Sequence, residues 1–160
     1  MQPNFIAIAV AALIPLITGF IWYNPKVLGT AWMKAAEVDE ARLKKGNMLM
    51  IFGLTYLFSF FMGMILQFIT IHQFGAVGMV GGDPSTANQS YADFMNDYGH
   101  AYRTFKHGAL HSAMTGLLFI FPILAINAFF ERKSWKYIWI NAGYWFITVT
   151  LMGGIICAWE

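Results

Sequence analysis

This sequence predicts an all-α fold, an integral membrane four-helix transmembrane bundle, and three observations predict it. Of the 160 residues, 58% are hydrophobic and only 11% are charged, whereas a soluble domain carries about 25% charged residues. The apolar residues are gathered into four runs, about 5–23, 47–71, 108–130 and 138–159, each long enough to cross ~30 Å of hydrocarbon as a helix. The lysines and arginines stand at the ends of these runs and form no basic patch, so with a net charge of +2 the chain has no nucleic-acid partner to expect. Residues 1–160 are read as one transmembrane domain whose immediate partner is the lipid bilayer.

The first run is read as a retained helix and not as a cleaved leader. No Lys or Arg precedes it, Pro15 interrupts its middle, and it ends in Trp-Tyr-Asn-Pro instead of a small-residue cleavage site. Pro15 lacks a backbone donor and crowds the carbonyl of Ala11, which predicts a kink near mid-membrane. Trp22 and Tyr23 follow, either as an interfacial aromatic belt or as the lining of a pocket shared with Trp32. Between Asn24 and Gly46 a polar segment is expected to lie on the membrane surface as a short helix, with Val27, Leu28, Trp32 and Met33 toward lipid, or to remain a solvated loop.

The second run is free of charge and ends at His72. The glycine-rich stretch that follows, with Gly75, Gly78, Gly81, Gly82 and Pro84, is a poor helix former and is expected to be a flexible connection inside a loop spanning 72–107. The second half of that loop, from about Ser90, is expected to prolong the third helix outside the membrane. Pro122 should bend the third span, and Gly108, Ser112 and Gly116 lie at a spacing that lets another helix backbone approach closely. The fourth span begins at Trp135 or Ile138, and its Asn141 lies at the depth of Asn127 on the third, so the two can hydrogen-bond. Cys157, the only cysteine, is read as buried filler.

Charge sets the expected orientation. Eight of the ten lysines and arginines fall in the first and third connections, and only Arg103 and Lys106 fall in the second. By the positive-inside rule the first and third connections face the cytoplasm, which leaves both termini and the 72–107 loop extracytoplasmic, in a bacterial inner membrane if the source is a bacterium.

Around Trp22, Tyr23, Pro25, Gly29 and Trp32, and again at Asn141, Gly143, Tyr144, Trp145, Gly153 and Trp159, the sequence resembles domain-of-unknown-function family seventeen sixty-one. The resemblance covers most of the chain. It implies a four-helix integral membrane protein of bacterial type and implies no particular activity.

The chemistry that remains is concentrated in one stretch. On a continuous helix, Asp93, Asp97, His100, Thr104, His107, His111 and Thr115 fall within an arc of roughly 80°. His107 and His111, one turn apart, can share a metal ion, His72 can supply a third ligand if the second and third helices are neighbours, and His100 is a more distant candidate. A haem b held between His72 and His107 or His111 is a variant of the same idea, and a proton path is another. Set beside these is an interfacial polar stripe with no ligand at all. No nucleophile with a base, phosphate loop or paired carboxylate is present within the spans, so the expectation leans away from an enzyme. Two readings stand: a non-catalytic structural or accessory subunit that associates with itself or with another membrane protein, and a small metal-, haem- or proton-handling membrane protein.

Overall fold

The computed structural model describes residues 2–160, among which helices are the only regular structure. Four helical stretches are long and apolar enough to cross a membrane: Phe5–Trp22, Met48–Thr70, Phe105–Phe130 and Trp135–Ala158. The chain is accordingly a multi-pass membrane protein, and the outward faces of these helices carry large exposed apolar side chains such as Phe20, Leu49, Leu118 and Phe130, as a lipid solvent requires.

The first crossing is built from α1 (Phe5–Ala11) and α2 (Ile14–Trp22). The Asn4 side chain starts it by accepting from the Ala7 N–H at 2.9 Å. The break at Ala12–Leu13 is the kink expected of Pro15, which enters the first turn of α2 where its missing N–H costs nothing. The polar segment forms two short helices, α3 (Gly29–Ala36) and α4 (Glu40–Lys44), separated at Glu37, whose φ is 62°. One expectation fails here: Trp32 turns into the bundle instead of toward lipid, because its indole N–H finds an acceptor there.

The second crossing is α5 (Met48–Thr70), capped by Asn47. Beyond it the glycine-rich connection is not irregular throughout. It forms α6 (Gln73–Met79), held by buried Gln73 and Val77, and turns only at Gly81 and Gly82, with φ of 77° and 84°. Burial outweighs the low helix propensity of Gly75 and Gly78.

The expected outward prolongation of the third helix is also corrected. A separate α7 (Gln89–Tyr98) is followed by a turn over residues 99–104, and only then does α8 (Phe105–Thr115) begin. Tyr102 adopts a left-handed φ of 62°, and the Thr104 hydroxyl accepts from the His107 N–H at 3.2 Å as the N-cap of α8. The third crossing continues through a π turn (Gly116–Ile120) into α9 (Phe121–Phe130). The distortion expected at Pro122 thus lies in the turn before it, where the wider coil relieves the clash of the proline ring with the preceding carbonyls.

The fourth crossing, α10 (Trp135–Ala158), starts at Trp135, capped by Ser134, and is the axle of the bundle. Its buried residues run from Ile138 to Cys157. Gly108, Ser112 and Gly116 do bring a helix backbone close, and that helix is α10: a Cβ on Gly108 would collide with the Gly153 carbonyl and the Cys157 Cβ, and one on Gly116 would lie 3.1 Å from Val149. Asn127, by contrast, is exposed and does not meet Asn141, which is bonded elsewhere.

These contacts sort the molecule into two ends. Asn4, His72, the 99–104 turn and Glu160 share one end, tied together by Asn4 N–H to Gln67 Oε1 (2.8 Å) and Arg103 Nη2 to the Trp159 carbonyl (2.7 Å). Trp22, Tyr23, α3 and the start of α10 share the other, closed by Lys133 Nζ to Glu37 Oε2 (2.9 Å).

Candidate metal centre

His72 lies immediately beyond α5, and His107 and His111 lie one turn apart on the first half of α8. The capped start of α8 fixes where those turns fall, and the packing of α8 on α10 holds the helix in place. Together they bring the three imidazoles into one group whose candidate ligand nitrogens all lie within 4.8 Å of one another. His72 is exposed, and His107 and His111 are half-buried.

The geometry inside the group is specific. The Nε2 atoms of His72 and His107 are 2.9 Å apart and share a hydrogen bond. Ring centroids are separated by 4.8 Å (His72–His107), 5.0 Å (His72–His111) and 4.4 Å (His107–His111). The His111 ring nitrogens have no hydrogen-bond partner among the described residues. Nitrogens at ~2.1 Å from a tetrahedral ion lie about 3.4 Å apart. An ion would therefore spread His72 from His107, whose Nε2 atoms are 2.9 Å apart, by about half an ångström and draw the third ring inward, adjustments within the reach of side-chain rotation. As they stand, with nitrogens 2.9 Å apart, His72 and His107 leave no room between them for the porphyrin plane of the haem considered from the sequence.

His100 is not part of the group. The turn over 99–104 swings it away, and its Nδ1 lies 3.2 Å from Glu160 Oε1. The same turn removes Asp93 and Asp97, which stay exposed on α7; Asp93 accepts from Gln89 Nε2 at 2.8 Å. The polar stripe drawn from Asp93 to Thr115 is therefore two unconnected pieces, and only its His107–His111 half belongs to the centre.

Two residues with no signal in the sequence complete the surroundings. The Tyr102 ring stacks on His107 at 5.1 Å and stands edge-on to His72 at 6.3 Å. Its unusual backbone conformation is held from a distance: the Cys157 thiol donates to the Tyr102 and Thr70 carbonyls at 3.4 Å each, and Arg103 Nε donates to the Cys157 carbonyl at 2.8 Å. Cys157 is buried, as expected, and also ties the end of α10 to the turn beside the histidines. Gln73 adds a second tie, its Nε2 donating to the carbonyls of Tyr98 (2.7 Å) and Ala101 (2.9 Å).

At the opposite end lie the aromatic residues singled out from the sequence. Asn141 Oδ1 accepts from the Tyr23 hydroxyl (3.0 Å) and the Trp32 indole (3.2 Å), Asn141 Nδ2 donates to the Tyr137 carbonyl (2.8 Å), and the Trp22 indole donates to the Ile140 carbonyl (3.0 Å). Tyr144 packs on Tyr23 and on Trp145. Gly29 lies so close to the Tyr23 carbonyl that no Cβ fits, and a Cβ on Gly143 would lie 3.0 Å from the Trp22 ring. Neither an aromatic belt nor an open pocket describes this arrangement; it is a packed knot that pins the connection after α2 to the start of α10.

A family model described as "Protein of unknown function (DUF1761)" matches residues 6–157, nearly the whole chain. The chain belongs to the DUF1761 family. The aromatic and glycine residues on which the resemblance rests lie in or beside the Asn141 knot and along α10, away from the histidines apart from Gly153 and Trp159 near the end of α10. No curated protein and no solved structure matches this DUF1761 chain.

Proposed function

We propose that this DUF1761 protein binds a divalent transition-metal ion through His72, His107 and His111. The observation that carries the reading is the convergence of three imidazoles from two separate segments, with ligand nitrogens within 4.8 Å of one another. Imidazole is a borderline-soft donor suited to zinc, copper, nickel and cobalt, and without thiolates or carboxylates in the group calcium and magnesium are poor occupants. Arg103 and Lys106 are the only arginine and lysine of the 72–107 loop, so the positive-inside rule supports an extracytoplasmic centre with both termini on the same side, facing the periplasm of a bacterial inner membrane. The accessory-subunit reading has less support. The small-residue strip that suggested a partner helix is occupied by α10 of the same chain. An accessory role for the metal-binding protein would be marked by a stoichiometric partner at purification.

The test is metal binding by the full chain in detergent. One equivalent of Zn²⁺ or Co²⁺ should bind. His107→Ala and His111→Ala should each weaken binding about a hundredfold, since two imidazoles fall short of a stable site, and His100→Ala should leave affinity unchanged. Equal binding by the wild type and both variants would rule the site out.

A further inference from the structure

We propose, resting on the reading that His72, His107 and His111 hold a divalent ion, that the ion keeps one exchangeable coordination position and offers it to small carboxylates with an apolar body. The donor count is the first ground. Closed structural zinc sites are completed by four protein ligands, whereas sites with three keep a position for water or another ligand. Among the described residues only three side chains converge here. The acids that could complete the set are elsewhere: Asp93 and Asp97 are exposed on α7, and Glu160 is engaged with His100.

Charge is the second ground. Three neutral imidazoles leave the full double charge of the ion uncompensated, and such a centre favours an anion at its open position. Shape is the third. A cavity of about 190 Å³ is lined by His72, Gln73, Phe94, Tyr98, Ala101 and Tyr102. It shares two walls with the centre, because His72 is a ligand and Tyr102 stacks on His107. Apart from His72 and Gln73 its walls are mainly apolar, and they offer a carboxylate no cationic side chain to pair with. The favoured ligand therefore puts its carboxylate on the ion and its hydrocarbon part against Phe94, Tyr98 and Tyr102, where removal from water stabilises it.

Cobalt-loaded full-length protein in detergent provides the test, read by the visible absorption bands of the ion. Azide should shift the bands, and benzoate should bind about tenfold more tightly than acetate. Ala101→Leu, which narrows the cavity, should bring the two carboxylates to within about twofold of each other while leaving the cobalt bands and the azide response intact. Phe94→Ala, at a nearly half-exposed position, repeats the test at a second lining residue and should also shrink the preference for benzoate. Cobalt bands that azide does not move would overturn the exchangeable position while leaving metal binding standing. Equal affinity for acetate and benzoate in the wild type would overturn the role of the cavity. Failure to bind cobalt at all would remove the metal reading, and this inference with it.

Discussion

The two ends of the bundle both gather polar side chains, but they dispose of them in opposite ways. At the aromatic end the polar groups at the centre of the knot are paired: Asn141 bonds Tyr23, Trp32 and the Tyr137 carbonyl, and the Trp22 indole bonds the Ile140 carbonyl. At the histidine end three imidazoles face one another with a single mutual hydrogen bond, and the His111 ring has none among the described residues. Satisfied buried polar groups rigidify a fold. Polar groups that converge without satisfying one another are equipped to meet something else. A dense cluster of polar and aromatic residues is therefore not in itself a sign of a ligand site; unused donor and acceptor capacity discriminates better.

Perturbing α10 should act on both ends at once and has the largest expected effect. Gly153→Ala puts a methyl into the Ser112 side chain and close to the Gly108 carbonyl, which is 2.9 Å from the ideal Cβ position. Because backbone must move, the cost should reach about 3 kcal/mol or more. It should appear as a lowered unfolding midpoint in detergent together with weakened metal binding. Retention of both would mean that α8 and α10 are not packed as described.

A substitution confined to the closed end should separate the two. Asn141→Leu leaves the Tyr23 hydroxyl and the Trp32 indole without their acceptor, at a cost of about 2–4 kcal/mol. Cobalt affinity should stay within about twofold of the wild type. A large loss of metal binding in this variant would show that the ends are coupled and erase the contrast drawn between them.

The smallest effect concerns pH at the closed end. The Lys133 ammonium, hydrogen-bonded to Glu37, holds that carboxyl below its ordinary range. A carboxyl depressed on folding stabilises the folded state above its unfolded pKa, and the contribution fades as pH falls through the folded value. Lys133→Met should bring the Glu37 titration, followed by carboxyl NMR, back upward to the ordinary range. The unfolding midpoint should change little, since Glu37 is largely exposed and solvent screens the pair. A Glu37 titration that Lys133→Met leaves in place would remove the ion pair from the account.

The four crossings were legible because run length and charge placement are local properties, and Pro15 announced its kink for the same reason. The His107–His111 pair was legible from helical spacing, and His72 from the even number of crossings that returns it to the same end. The break at residues 99–104 was not. Gly99 is a weak hint of it, and the left-handed Tyr102 is sustained by Cys157 and Arg103, more than fifty residues apart from one another in sequence. Helical periodicity drawn across that break joined Asp93, Asp97 and His100 to a stripe they do not share. Thr104 was the available signal, as a residue that starts a helix better than it continues one. Asn141 was singled out correctly but given the wrong partner, since depth alone cannot distinguish Asn127 on the lipid-facing side of α9 from Tyr23 and Trp32, which arrive from the first crossing and its connection.

The clamp of Arg103 on the Trp159 carbonyl, with Glu160 beside His100, has a practical consequence for purification. A polyhistidine tail fused after Glu160 would start from the end of the bundle that carries the three imidazoles, within reach to donate extra nitrogens to the same ion, and one fused ahead of Asn4 would start from that end as well. Metal stoichiometry measured with either tail attached would count the handle together with the protein, so a non-chelating affinity tag, or a tail cleaved before loading, is the appropriate choice.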